Sequence, residues 1–201
     1  MRPTLVVLGR YGFQSSLNPL EDSGVSTAAG TNLSYYGYSF EVPWRGIDTV
    51  QKRMHWVEIH FKSGLVLTFF NPKYFQADLI DDGGTKYEQY KAVLSMTTSQ
   101  LSPFCSHEHF ARSLKLLEVK GTMFEHSSAA PDIYSFRTNR YRGFEISGLS
   151  QNWQSVGLIL FDAADREINI GVDAGRPGQH PAVKITQTEI NRVIQSFRAE
   201  P

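Results

Sequence analysis

Cysteine is almost absent from this chain of 201 residues: Cys105 stands alone, so no disulfide closes within it and the fold rests on burial and hydrogen bonding. The count fits a reducing compartment without requiring one. An excess of charge is also missing. Lys plus Arg and Asp plus Glu are both 20, so no overall field draws the chain to nucleic acid or to an anionic membrane surface, and any such partner must use a local patch. Long apolar runs are missing too. "TLVVL" at 4–8 falls far below the roughly 20 residues of a spanning helix and lacks a signal peptide's cleavage pattern. There is no phosphate loop, because "AGRPGQHP" at 174–181 has two glycines but no lysine. "DLIDDGG" lacks the alternating Asp spacing and distant Glu of a calcium loop. No repeat, heptad run or low-complexity block appears, and no cofactor is assigned.

What is present is enough apolar material for a core: 41% of residues are hydrophobic and 12% aromatic. Residues 14–34 are rich in Ser, Gly, Thr and Ala and read as a linker, making 1–34 an N-terminal arm. An apolar stub followed by such a tether is also what a trimmed membrane anchor leaves. Extracytoplasmic tethering and a cytoplasmic location therefore both stay open. A single domain is expected over 35–201.

Alternation through Tyr38, Phe40 and Val42 before Pro43 predicts a strand. "MHWVEIHF", "KSG" and "LVLTFF" predict a hairpin with a short Gly turn. Thr85 followed by Glu88 is a capping box for a helix over 85–97. A second helix is expected over 103–120, with Ser102 as cap, Pro103 in the first turn and Gly121 as a left-handed stop. "IYSFRTN", "RGFEISGL", "SVGLILFDA" and "REINIGVDA" read as four strands. Thr186 and Glu189 cap a last helix whose Ile190, Val193, Ile194 and Phe197 form one apolar stripe. Strands, helices, strands and a helix joined by hairpins predict an α+β class, a twisted antiparallel sheet covered by helices.

The opening strand "GYSFEVP", the hairpin "VEIHFKSGLVLTFF", the late hairpin "VGLILFDAADREINIGV" and the final "EINRVIQSF" helix resemble the PsbP-like domains. That family includes the photosystem oxygen-evolving accessory protein, related bacterial lipoproteins and a nuclear-import cofactor. The resemblance covers 35–201 and implies an α/β sandwich whose relatives bind or assist larger assemblies. The chain departs from it in carrying two consecutive helices, 85–97 and 103–120, and no functional residue is carried over.

Three constellations carry chemistry. In "FCSHEHF", a helix places Cys105 and His109 on one face at i and i+4, where both reach one metal ion, while His107 points elsewhere. A thiolate at Cys105 is favoured by the positive helix end. The plainer reading makes Cys105 a small buried hydrophobe. In "FRTNRYRGF", Arg137, Arg140 and Arg142 alternate with Phe136, Tyr141 and Phe144, and exposed arginines there suit a protein partner's acidic patch; the neutral total argues against nucleic acid. Tyr35, Tyr36, Trp44 and Trp153 are candidates for an aromatic ligand cleft. The leading expectation is a non-catalytic binding or assembly-accessory module facing a protein partner, with a membrane reached only through an N-terminal anchor. A metal- or thiol-dependent enzyme centred on Cys105 and His109, or a small-ligand binder, is the alternative.

Overall fold

The computed structural model describes residues 14–21, 23–74, 79, 84–102, 105–124, 130–149, 154–174 and 183–200. Its class is α+β. The chain divides into two compact units, one made of 1–18 and 77–134, the other of 19–76 and 135–201.

The first unit is built on two helices, α1 (Lys86–Ser95) and α2 (His107–Met123), with a 3-10 turn at Thr98–Gln100 between them. One half of the expected capping box starts α1: the Glu88 amide donates to Thr85 Oγ1 at 3.3 Å, while the Glu88 carboxylate lies 4.0 Å from Lys91. Tyr90, Val93 and Leu94 are buried along its inner face. Val93 and Met96 pack against Leu116 and Leu117 of α2.

The second helix departs from expectation at both ends. Ser106, not Ser102, is the cap, its hydroxyl accepting the His109 amide at 3.3 Å. Gly121 lies inside the helix without the positive φ of a left-handed stop, and the helix runs on to Met123. The buried face explains the extension: Ser113, Leu116, Leu117, Lys120 and Gly121 all turn inward, and at Gly121 a missing side chain suits close packing as well as it suits a stop. Pro103 lies outside the described residues.

The second unit holds β2 (Thr31–Tyr35), β3 (Tyr38–Val42), β4 (Ile47–Lys52), β5 (Trp56–Phe61), β6 (Val66–Phe70), β8 (Arg142–Ser147), β9 (Ser155–Phe161), β10 (Glu167–Asp173), α3 (Gln187–Ser196) and β11 (Arg198–Ala199). The division between units falls inside β1 (Leu17–Pro19) and β7 (Asp132–Arg137). Here the strands run β7-β8-β9-β10-β6-β5-β4, and β11-β3-β2 form a smaller sheet. The ladders β4/β5, β5/β6, β6/β10, β9/β10 and β8/β9 are antiparallel, as are β2/β3 and β3/β11. Gly64, at φ 87°, makes the expected turn between β5 and β6.

Inward residues of β5, β6, β9 and β10 (Val57, Ile59, Leu67, Phe69, Leu158, Leu160, Ile168 and Ile170) form one core with Phe40 and Val42 of β3 and with the α3 stripe. Ile190, Val193, Ile194 and Phe197 are all buried, as their spacing predicts. At about 1.5–3 kcal/mol per fully buried aliphatic or aromatic side chain, this stripe is what fastens α3 to the sheets.

The stretch 14–34, read as a tether, contains β1 and β2 and is strapped down between them. The Ser26 amide donates to Thr188 O at 2.9 Å, Asn191 Nδ2 to Gly24 O at 2.8 Å, and Arg192 Nη1 to Ser26 O at 2.8 Å and to Ala28 O. Backbone carbonyls do the holding, so few large apolar side chains are needed.

Candidate functional site

Residues 137–141 sit where β7 turns into β8. The Thr138 amide donates to Tyr141 O at 2.7 Å, and Thr138 Oγ1 accepts the amides of Arg140 and Tyr141 at 3.2 and 3.0 Å. The turn is thus held by its own threonine, and the flanking arginines leave it from a fixed backbone. Across from it, Phe197 follows the last turn of α3. Its buried ring stacks on Tyr38 and Phe40 at 5.4 and 5.2 Å and meets Tyr141 edge-on at 5.3 Å.

Between turn and helix end lies a cleft of about 460 Å³ lined by Arg137, Thr138, Asn139, Arg140, Gln195 and Phe197. That volume lies in the range of small-ligand and peptide-anchor sites. Arg137 and Arg140 are exposed, and among the described residues neither is within ion-pairing distance of a carboxylate. Arg142 differs: its guanidinium meets Asp165 at 3.3 Å, away from the cleft lining. Two of the three arginines named from sequence therefore converge and the third is paired. Gln195 was not singled out from sequence, and Phe197 was read only as core; their approach to the arginines depends on where α3 ends against β3.

The other candidates do not gather. Cys105 precedes the Ser106 cap, so it and His109 are not i and i+4 of one helix; its thiol donates to Ser102 O at 2.9 Å. His107 and His109 are exposed. Among the described residues no group of three or more His, Cys, Asp or Glu is placed to hold a metal ion. Trp44 is only 7% exposed, packs edge-on to Phe61 at 5.9 Å and donates through Nε1 to Glu189 at 3.2 Å, which makes it part of the core. Tyr35 and Tyr36 pack against that core, half-buried. Trp153 lies outside the described residues.

Three ionisable groups, Glu145, Glu167 and Lys120, are buried among the described residues, and none is singled out by the sequence. Glu145 on β8 accepts from Gln187 Nε2 at 2.8 Å, and Gln187 also donates to Asn191 Oδ1 at 3.2 Å. Burial raises the Glu145 pKa, against the lowering effect of its Gln187 and Ser147 hydrogen bonds. In the other unit Lys120 is fully buried, and its Nζ donates to Ser15 O, Leu94 O and Met96 O at 2.7, 2.9 and 2.8 Å. All three ammonium hydrogens are thereby used, two of them at the carbonyl end of α1, and burial pulls the pKa down to about 8. Lys120 is thus spent on holding elements together, whereas Glu145 Oε1 is buried with no hydrogen-bond partner among the described residues. No family model, curated protein or solved structure matches this chain.

Proposed function

We propose that this chain is a non-catalytic binding module that captures an acidic segment of a protein partner in the Arg137–Arg140 cleft. The observation that carries the reading is the pair of guanidinium groups flanking a cleft with no carboxylate to neutralise them among the described residues. A guanidinium takes a carboxylate through two parallel N–H donors, and the Thr138 turn spares it part of the ordering cost. Gln195 and Asn139 add neutral donors and acceptors. The PsbP-like arrangement belongs to the same proposal: an opening strand, a hairpin, a late hairpin and a closing helix support it, and its relatives' accessory roles agree with a site built to bind.

Titration calorimetry with a Glu- and Asp-rich peptide tests the reading. Arg137→Ala combined with Arg140→Ala is expected to weaken binding at least tenfold, since each charge-assisted hydrogen bond contributes about 1.5–3 kcal/mol, and the Gln/Asn version of the peptide should not bind. Equal affinity for both proteins, or for both peptides, overturns it.

A further inference from the structure

The strand registers bring several turns of the second unit to one end of its larger sheet. Trp56 opposes Phe70, Ile170 opposes Phe69, and Phe161 opposes both Glu167 and Arg142. The turn before β5, the chain leaving β6, and the β7–β8 and β9–β10 turns therefore share that end. At its β5–β6 corner stand Lys52, Arg53, Met54, His55, Lys73 and Tyr74, all exposed.

This corner is tied together. The Tyr36 hydroxyl donates to Arg53 O at 3.1 Å, Asn71 Nδ2 to Met54 O at 3.2 Å, and the Asn71 amide to His55 O at 2.8 Å. Met54, at 61%, is the most exposed large hydrophobic among the described residues, and Tyr74 follows at 47%. Lys73 Nζ lies 5.4 Å from the Tyr74 ring centre and Lys52 Nζ 5.7 Å from that of Tyr36; His55 meets Tyr74 edge-on at 5.4 Å. Glu58 is the sole acid between residues 49 and 74, and it lies 3.9 Å from His60 further along β5. Lys52 and Lys73 have rings beside them, and among the described residues no carboxylate lies within ion-pairing distance of Lys52, Arg53 or Lys73.

We infer that this corner is a docking surface for an anionic lipid bilayer. A thioether at a turn apex with tyrosines behind it and ammonium groups alongside is the order an interface demands: an apolar tip for the acyl boundary, amphipathic rings at headgroup depth, and cations against the anionic layer. Met, with no polar atom to desolvate beyond a weak acceptor, enters at little cost. Charge complementarity selects the occupant. The chain carries no net charge, so only a segregated patch attracts an anionic surface, and each Lys or Arg held near one contributes about 1 kcal/mol. This assignment goes beyond the cleft reading and does not depend on Arg137 or Arg140.

Co-sedimentation with vesicles is the test, using phosphatidylcholine alone and phosphatidylcholine with a third phosphatidylserine. The chain should pellet with the second and not the first, and 0.5 M salt should release it. Lys52→Ala, Arg53→Ala and Lys73→Ala combined should lower the partition coefficient about 100-fold. Met54→Ser should lower it severalfold, while Arg137→Ala/Arg140→Ala should leave it largely unchanged. No pelleting with the anionic vesicles overturns the assignment, as does pelleting that the triple variant leaves intact. Polyglutamate, at the same concentration of negative charge, displacing the Arg137→Ala/Arg140→Ala protein fully from the vesicles also overturns it, since the corner would then be a site for acidic protein. The arginine pair failing to bind peptide while vesicle binding persists separates the fate of the two readings.

Discussion

At the scale of single residues, Lys120 is the most demanding position. A buried ammonium without a carboxylate is costly, and here three backbone carbonyls stand in for the water it lost. Lys120→Met should destabilise the helical unit by about 3–5 kcal/mol, because those carbonyls lose their donor at once. The native lysine also imposes a pH signature. Its folded pKa of about 8 lies below the ordinary 10.5, so between these values the unfolded chain holds more protons and stability rises with pH. Chemical denaturation at pH 8 and pH 10.5 should show a gain of up to about 3 kcal/mol that the Lys120→Met protein lacks. A flat profile in the native chain would contradict the burial of a charged lysine. Nothing in sequence marks this residue, since Lys120 occupies a helical position that reads equally well as solvent-facing.

At the scale of elements, alternation and helical spacing located β3, β5, β6 and the three helices, each of which buries one face, while β7 to β10, of which β8 to β10 are buried on both sides over several residues, were located by their β-branched and aromatic runs between turn residues. They did not locate β1, β2 or β4. β4 has every residue exposed, so no inward face stamps a period on it, and its neighbour β5 alone makes it a strand. β2 has only Leu33 fully inward. The start of α2 was misread for a related reason: "SPFCS" contains two serines competent to cap, and only the packing of Leu116, Leu117 and Lys120 selects the later one. Ser106→Ala should therefore lower the thermal stability of the helical unit by about 1 kcal/mol, and Ser106→Asp should restore it through the same bond to the His109 amide. If Ser106→Ala leaves the midpoint unmoved, the helix starts elsewhere. Moving the cap by four residues is also what separates Cys105 from His109 and removes the two-ligand geometry that the sequence had suggested.

At the scale of the whole molecule, neutrality conceals segregation. The Arg142–Asp165 and Arg166–Asp162 pairs cancel at the β9–β10 turn, while Arg137, Arg140, Lys52, Arg53 and Lys73 at the same end of the sheet have no such partner among the described residues. At pH 7 and low ionic strength the chain should bind a cation-exchange resin despite its zero net charge, and elute as the screening length falls to about 8 Å. Replacing Lys52, Arg53 and Lys73 by alanine should shift elution to lower salt, and native protein in the flow-through would refute the segregation. No helix among the described residues is long and apolar enough to cross a membrane.

The amino-acid order by itself determined the α+β class, most of the strands and the apolar stripe of the last helix, because each is written in local periodicity or composition. Tertiary structure alone decided which arginines line one cleft, that Trp44 belongs to the core, that 14–34 is strapped down and that Lys120 is buried. Each of these is a contact between residues distant in the chain, set by helix ends and strand registers, and side-chain spacing along one segment carries no information about the segment that will face it.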